Sequence, residues 1–245
     1  MTVLLTDGLS KNFGGLAAVK DVSLSVRPGL LHALIGPNGA GKTTLLNLLA
    51  GTLAPTAGKI HLDGTEITNL PVHARVLLGI SRSYQVVSLF AGLTCRQVVK
   101  LAIQRDLGIR ALLSKWHDVE LTRRADAALE AAGLLDYADS DSTRISHGLQ
   151  KHLEIALALA NESRLLLLDE PMAGMSASER TELRDRLKQL AGPRTIVFVE
   201  HDMDMVMTLA NTVTVMHNGS IVDEGSPEQI RSSSIAQSVY LKAER

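Results

Sequence analysis

The first third of the chain alternates short apolar runs with turn-forming residues. These runs predict β-strands over residues 3–6, 22–26 and 31–35. A glycine-rich stretch then leads into apolar positions at helical spacing, which predict a helix over residues 42–50 that ends at Gly51. Residues 57–67 are typical of a hairpin that turns at Asp63-Gly64.

The pattern changes twice in the rest of the chain. Helical periodicity dominates residues 87–160, and it is clearest over 121–133 and 148–160. Strand-like runs then return at residues 164–169, 194–199 and 212–217, separated by helical stretches over about 177–191 and 202–210. Because strands that alternate with helices favour a parallel sheet, the sequence predicts one α/β body with an inserted helical lobe.

Composition narrows the class of protein. Of the 245 residues, 45% are apolar, and 25 Lys and Arg balance 26 Asp and Glu, so we expect a globular protein with no nucleic-acid partner. Cys95 is the single cysteine, which excludes an internal disulfide and favours a reducing compartment without structural metal. The apolar runs are far shorter than the ~20 residues that span a bilayer, and the amino terminus has no signal-peptide pattern.

The strongest chemical signal is the stretch Gly36-Pro37-Asn38-Gly39-Ala40-Gly41-Lys42-Thr43. It matches the phosphate-loop pattern, with a predicted strand before it and a predicted helix after it. Glycines let backbone N–H groups approach phosphate oxygens, and the helix amino terminus adds partial positive charge. The pattern predicts that Lys42 contacts the β- and γ-phosphates and that the Thr43 hydroxyl ligates Mg²⁺.

A second signal is an apolar strand that ends in two carboxylates. Leucines at 165–168 precede Asp169 and Glu170. Leucines alone indicate only a buried strand, but after a phosphate loop the acidic pair supplies groups that nucleotide hydrolysis needs. We expect Asp169 to hold the Mg²⁺ shell and Glu170 to polarise the attacking water.

Further motifs follow the phosphate loop in this order: Gln85 in Ser83-Tyr84-Gln85, the segment Ile145-Ser146-His147-Gly148-Leu149-Gln150, and, after the acidic pair, His201 in Val199-Glu200-His201-Asp202. Phe13, in Lys11-Asn12-Phe13-Gly14, precedes the phosphate loop. With the phosphate loop and the acidic pair, they make the chain resemble the ATP-binding subunits of ABC transporters over almost its whole length. The resemblance implies that Gln85 contacts Mg²⁺ and water and that residues 145–150 form the family's signature motif. It also implies that His201 contacts the γ-phosphate and that Phe13 stacks on adenine.

The resemblance implies a fold and a division of the chain. The expected fold class is α/β, a P-loop NTPase of the ABC ATPase type with a RecA-like core, an N-terminal antiparallel β subdomain and an inserted α-helical subdomain. Residues 1–86 and 161–245 would form the nucleotide-binding core with its β subdomain. Residues from about 87 to 160 would form the helical subdomain, all within a single domain of residues 1–245.

The resemblance also implies the ligands and the working unit. ATP and Mg²⁺ are the expected cofactors, and in the family the signature closes on the nucleotide held by a second copy. The expected catalytic residues are Glu170, His201 and Gln85, and the expected metal ligands are Thr43, Gln85 and Asp169. The expected nucleotide contacts are Phe13, Gly36, Pro37, Asn38, Gly39, Ala40, Gly41, Lys42, Thr43, Thr44, Ser146 and Gly148.

Three positions depart from the family pattern. Leu149 stands where the signature has Gln, and Gln150 cannot replace it because one helical step rotates a side chain by about 100°. His147 replaces the first glycine of the signature. Ser176 replaces the aspartate of a later loop, and with Glu179 it predicts a capping box for the helix that follows. These changes bear on the rate of hydrolysis more than on the fold.

A finer resemblance links the chain to the ATPases of branched-chain amino acid importers. It rests on residues 82–90, on the helical stretch from about 103 to 124, on residues 200–207 and on the tail 225–241. It implies ATP hydrolysis that powers import. The implied partners are a second ATPase subunit, identical or paralogous, the transmembrane permease subunits and, indirectly, a substrate-binding protein. The implied location is peripheral, at the cytoplasmic face of the inner membrane.

Two alternatives stay open, namely the ATPase of a urea or short-chain amide importer and an ABC ATPase outside transport. DNA-repair ATPases of this type insert a long coiled coil between phosphate loop and signature, and the interval from Lys42 to Ser146 is too short for one. Translation-factor types carry two cassettes, and this chain has one.

Residues 86–92 lack charge, which predicts either a groove for a permease helix or an ordinary buried loop.

Overall fold

The chain divides into two compact units in a computed structural model that describes residues 2–83, 92–104, 115–161 and 163–243. The first unit contains Met1–Arg82, Arg164–Pro171 and Ala191–Arg245, and the second contains Ser83–Ser163 and Met172–Leu190. Within the described ranges, no helix combines the length and apolar character that crossing a membrane requires.

The first unit holds the strands of the described chain. They are β1 (Leu4–Phe13), β2 (Leu16–Val22), β3 (Ser25–Val26), β4 (Leu31–Ile35), β5 (Ala57–Leu62), β6 (Thr65–Glu66), β7 (Ile80–Arg82), β8 (Leu165–Asp169), β9 (Thr195–Val199), β10 (Thr212–His217) and β11 (Ser220–Gly225). Its helices are α1 (Lys42–Ala50), α2 (Val72–Leu77), α7 (Met203–Leu209), α8 (Pro227–Ser232) and α9 (Ser234–Ala243). The second unit is helical, with α3 (Cys95–Gln104), α4 (Lys115–Ala132), α5 (His147–Leu159) and α6 (Ala177–Leu190).

The larger sheet of the first unit has the strand order β11-β10-β4-β9-β8-β7 among the described residues. All neighbours except β10 and β11 pair in parallel, which confirms the predicted parallel sheet. Every residue of β4, β8 and β9 is buried, as expected for continuous apolar runs in a strand covered on both faces. The carboxyl ends of these strands therefore share one edge of the sheet.

The smaller sheet is antiparallel and has the order β2-β1-β5-β6, with β3 also paired to β1. The predicted hairpin at Asp63-Gly64 is confirmed, since both residues adopt positive φ, 48° and 79°, between β5 and β6. β1 extends to Phe13, well past the predicted end, because one of its faces is open to solvent and tolerates polar residues.

The strand predicted over residues 22–26 is wrong in part. β2 ends at Val22, and β3 begins only at Ser25. The Thr6 hydroxyl donates to the Val22 carbonyl and accepts from the Leu24 N–H, each at 2.8 Å. This side chain therefore satisfies the backbone groups at the break.

The predicted helices that fall on described residues are present, with small shifts at their ends, whereas residues 105–114 of the helical stretch predicted from about 103 to 124 lie outside the described residues. α1 ends at Gly51, whose φ of 81° is typical of a helix-terminating glycine. α4 begins before residue 121, and α5 and α6 lie within one or two residues of the predicted ranges. The elements α2, β7, β11, α8 and α9, and all of β2 except Val22, were not predicted from the sequence.

A buried arginine joins α1 to the segment that precedes β7. Arg75 is 1% exposed, and its guanidinium donates to the carbonyl oxygens of Leu48 (2.7 Å), Leu49 (2.8 Å), Thr68 (2.8 Å) and Leu70 (3.0 Å). Two of these carbonyls belong to the last turn of α1, where cations and donors are favourable. Burial lowers the pKa of Arg75 from its ordinary value. Arg75 therefore fixes the carboxyl end of the helix that follows the phosphate loop.

Replacing Arg75 with methionine should destabilise the chain, because buried carbonyl groups lose their donors. We expect the free energy of unfolding to fall by about 3 kcal/mol or more in denaturant titrations. Arg231→Met, at an exposed position of α8, is the matched control and should change it by less than about 0.5 kcal/mol. Equal stability of the two variants would contradict this role of Arg75.

A buried histidine lies in β4, directly before the phosphate loop. His32 is 2% exposed, and its Nε2 lies 2.7 Å from the Thr214 hydroxyl, which itself donates to Oε2 of Glu224 at 2.7 Å. Because the hydroxyl proton is used by Glu224, Nε2 of His32 is the donor, which fits a neutral ring. Burial, with a smaller effect of the Arg27 charge, lowers the pKa of His32 to about 4.

Acid should therefore destabilise the fold through His32. The unfolded histidine binds a proton below about pH 6.5, whereas the folded one stays neutral until about pH 4, so stability falls as the pH drops through this window. Between pH 7.5 and 5 the loss should be about 2 kcal/mol, measured by urea unfolding. His32→Gln should remove that part of the pH dependence, and an unchanged pH profile would refute it.

Candidate active site

The phosphate loop lies between β4 and α1 and packs closely on neighbouring strands. Gly36 has a φ of 147°, and a β-carbon there would lie 2.1 Å from the carbonyl oxygen of Met216 in β10. Gly41 has a φ of 101°, and a β-carbon there would lie 2.4 Å from the carbonyl oxygen of Ala18 in β2. Both positions therefore require glycine, for backbone conformation and for space.

The side chain of Lys42 is held by the loop itself. It is buried, and its Nζ donates to the carbonyl oxygens of Gly36 at 2.6 Å and Pro37 at 2.9 Å. Burial lowers the pKa of Lys42, while the nearby carboxylates of Glu170 and Asp169 act in the opposite direction. An ammonium group at the amino end of α1 makes this place attractive to a phosphate group.

A cavity of about 510 Å³ opens beside the loop within the first unit, a volume that suits a small-molecule ligand. The side chain of Phe13, 47% exposed, forms part of its wall, and the ammonium of Lys11 lies 5.3 Å from the centre of that ring. An accessible aromatic ring can stack on a nucleobase. The cavity brings together these sequence-predicted residues: Phe13, Asn38, Gly39, Ala40, Gly41, Lys42, Thr43, Thr44 and Glu170.

Asp169 lies at the carboxyl end of β8 and is 1% exposed. Its Oδ1 accepts a hydrogen bond from the Thr43 hydroxyl at 3.4 Å, and its Oδ2 pairs with Nη2 of Arg82 at 3.1 Å. Arg82 also donates to the side chain of Asn47 in α1. A hydroxyl and a carboxylate oxygen at this distance are the hard donors that Mg²⁺ prefers beside phosphate oxygens, so the residues present fit that ion.

Glu170 follows Asp169 and faces the cavity with a left-handed backbone. Its φ is 48°, an uncommon value for a residue that is neither glycine, asparagine nor aspartate, and its N–H donates to the Val199 carbonyl at 3.0 Å. His201 is exposed, two residues past the end of the neighbouring strand β9. Asp202 then caps α7 by accepting from the Met205 N–H at 3.2 Å. The sheet edge thus carries both the acidic pair and the histidine.

The second unit carries the signature residues. Ser146 caps α5, since its hydroxyl accepts a hydrogen bond from the Leu149 N–H at 3.3 Å, and Gly148 is buried in the first turn. The capping box predicted for Ser176 and Glu179 is confirmed: the Ser176 N–H donates to the Glu179 carboxylate at 2.8 Å, and the Glu179 N–H donates to the Ser176 hydroxyl at 3.4 Å. Gln85 and residues 86–91 lie outside the described residues.

Sequence reasoning missed two contributors to this site. Arg82 lies in residues 82–90, on which the finer resemblance rests, but it received no role because its partner Asp169 stands 87 positions away in the sequence. Leu16 is 68% exposed and lines the cavity next to Phe13. An apolar residue directly after the Gly14-Gly15 turn offered no sequence signal of its own.

Known proteins that are similar to this chain are ATP-binding subunits of transporters. The family model described as "ABC transporter" matches residues 19–173. The high-affinity branched-chain amino acid transport ATP-binding proteins BraF of Pseudomonas aeruginosa and LivG of Escherichia coli K12 are each 36% identical over 98% of this chain and 97% of the relative. The sulfate/thiosulfate import ATP-binding protein CysA of Gloeobacter violaceus is 35% identical over 93% of this chain but 63% of the relative.

Solved structures agree with these relatives. A nucleotide-free ATP-binding cassette from an ABC transporter matches with a TM-score of 0.87 and 27% identity, covering 98% of this chain and 99% of that chain. The ADP conformation of the cassette MJ1267 matches with a TM-score of 0.86, 28% identity and the same coverage. The expected fold class is confirmed. Since the family model covers more than half of the chain and the relatives nearly all of it, the chain belongs to the ABC transporter family and is one of its ATPases.

Proposed function

We propose that this chain is the ATP-binding and ATP-hydrolysing subunit of an importer for branched-chain amino acids. The observation that carries the proposal is the 36% identity to BraF and to LivG. In each comparison the match extends over 98% of this chain and 97% of the relative. CysA has similar identity but covers only part of its own length here, so the likeness to a sulfate importer is confined to the shared cassette.

The nucleotide binds in the cavity beside the phosphate loop. The Phe13 ring stacks on the base, and the loop from Gly36 to Thr44 surrounds the phosphates. Lys42 exchanges its bonds to two loop carbonyls for bonds to phosphate oxygens. The buried ammonium group then has negatively charged acceptors in place of neutral ones.

Thr43, Asp169 and Gln85 hold Mg²⁺ in this proposal. The hydroxyl and carboxylate that already meet at 3.4 Å supply two of the hard oxygen donors. When bound, the ion neutralises charge on the phosphate oxygens. Arg82 pairs with Oδ2 of the buried Asp169 and leaves Oδ1 toward the Thr43 hydroxyl, so it acts as a positioning residue.

Glu170 orients the attacking water and accepts its proton, and His201 contacts the γ-phosphate. The two residues stand at the ends of adjacent parallel strands, which supports their action on one phosphate group. Ser146 and Gly148 bind the γ-phosphate held by a second copy of the chain. The solved structure of the ATP-binding cassette MJ0796 with ADP and Pi is dimeric. It matches this chain with a TM-score of 0.79 and 25% identity, covering 91% of this chain and 98% of that chain.

ATP binding in this arrangement closes two subunits, and hydrolysis reopens them. Transmembrane permease subunits convert that motion into transport, and a substrate-binding protein delivers the amino acid. The ATPase would act as a peripheral subunit at the cytoplasmic face of the membrane.

Replacing Glu170 with glutamine should keep ATP binding and slow turnover by about 10²-fold or more, because the amide cannot accept the proton of water. Phosphate release measures turnover, and sedimentation with ATP and Mg²⁺ should detect dimers that persist. Glu66→Gln, an exposed carboxylate in β6, is the control and should leave both readings unchanged. Turnover near that of the unmodified protein would reject the role of Glu170.

The substrate class can be tested in the complete transporter. We expect permease subunits and a binding protein to co-purify with an affinity-tagged form of this chain, and the complex to be reconstituted in liposomes. Leucine, isoleucine and valine should raise ATP hydrolysis and accumulate inside, whereas urea and sulfate should do neither. Stimulation by urea or sulfate alone would overturn the proposed substrate, and the Glu170→Gln complex should not accumulate any of them.

A further inference from the structure

A carboxylate rests against the first turn of the signature helix α5. A β-carbon placed on Gly148 would lie 2.2 Å from Oε1 and 2.6 Å from Cδ of Glu179, so the carboxyl group fills the space that any other side chain at 148 would need. Both residues belong to the second unit. Any larger residue at position 148 would therefore have to displace the Glu179 carboxylate, which is a contact within the chain itself.

The Glu179 side chain is held in this place by the capping box of α6. Its Oε2 accepts hydrogen bonds from the Ser176 N–H at 2.8 Å and from the Ser176 hydroxyl at 2.7 Å. These bonds occupy one carboxylate oxygen and leave Oε1 toward Gly148. These two hydrogen bonds therefore restrict rotation of the Glu179 side chain and hold its carboxylate beside Gly148.

The surroundings of Glu179 favour its charged form. The hydrogen bond from the Ser176 hydroxyl lowers the pKa of Glu179 most, followed by the Ser176 N–H, with smaller effects of His152 and His147. The His152 ring is buried, with Nδ1 2.6 Å from the Ala132 carbonyl, and the His147 ring packs close to Gly174. A negative charge also suits the amino end of α5, where the backbone dipole is positive.

We propose that Glu179 sets how strongly the signature end of this chain attracts the γ-phosphate of a nucleotide held by a second copy. The inference rests on the proposed function, which places that phosphate at Ser146 and Gly148. A fixed carboxylate against the first turn of α5 neutralises part of the helix's attraction for anions and repels an incoming phosphate. Glu179 therefore weakens the closed dimer and favours its reopening, as a positioning residue that acts through α5.

The test is Glu179→Gln in the Glu170→Gln background, with ATP-driven dimerisation followed by sedimentation. Glutamine at this position of a capping box keeps the cap of α6 while it removes the charge. Since each dimer contains two signature ends, the ATP concentration for half-maximal dimerisation should fall by about threefold or more. At about 1 M salt, where exposed charges are screened, the difference should shrink.

Glu182→Gln provides the matched control. Glu182 lies on the same helix and is exposed. Its substitution changes the net charge by the same amount as Glu179→Gln, so the half-maximal ATP concentration should stay unchanged. A purely structural role of Glu179 predicts a lower melting temperature with equal or weaker dimerisation, and that result would overturn the proposal.

Two further variants keep the outcome decisive. If Glu179→Gln folds too poorly to measure, Glu179→Asp keeps the charge but withdraws it from Gly148 by one methylene, and it must itself lower the half-maximal ATP concentration. Ser146→Arg should abolish dimerisation in every background. If the Glu170→Gln protein alone fails to dimerise with ATP, the proposed function fails and the inference with it. If it dimerises and Glu179→Gln changes nothing, the inference alone is wrong.

Discussion

The site depends on how closely the phosphate loop approaches the strands on either side of it. Gly36 packs against the Met216 carbonyl of β10, and Gly41 packs against the Ala18 carbonyl of β2. Both carbonyl oxygens lie too close to leave room for a β-carbon on the glycine. Backbone hydrogen bonds continue the contact, from Gly219 N–H to the Ala40 carbonyl at 3.0 Å. The parallel sheet and the antiparallel sheet therefore hold the loop jointly, and the cavity lies where both sheets meet it.

Charge balance at the carboxyl edge of the parallel sheet follows from that packing. Asp169 is nearly inaccessible, and a buried carboxylate without a cation would be strongly destabilising. Arg82 supplies the direct partner, whereas Lys42 is bonded to loop carbonyls and only acts on the carboxylates through space. The lysine thus remains free to change partners while the arginine maintains the structure. Binding of an anionic ligand can then use Lys42 without breaking the ion pair that holds Asp169.

Sequence reasoning found the elements whose signal is local. β4, β8 and β9 are continuous apolar runs, and α1 is bounded by a glycine-rich loop and Gly51, so neighbouring residues suffice to predict them. Arg82 and Arg75 acquire their roles only through tertiary contact, since Asp169 lies 87 positions from Arg82 and Leu48 lies 27 positions from Arg75. Nothing in their immediate sequence distinguishes them from surface arginines. The roles predicted for the site residues, in the phosphate loop and the acidic pair as well as at Gln85, Ser146, Gly148 and His201, stay predictions.

Glu170 supplies a physical argument for function that needs no comparison with relatives. Among the residues that the structure describes, the other non-glycine positions with positive φ are Asp21, Asp63 and Asn218, whose short polar side chains tolerate the left-handed region. A glutamate gains no such local compensation, so its conformation carries strain of about 1 kcal/mol or more. Glycine would relieve that strain but would remove the carboxylate from the cavity wall. The backbone is held by the bond to Val199, and it presents the carboxylate beside the phosphate loop at the expense of stability. Such a conformation is expected where a side chain serves chemistry and not packing.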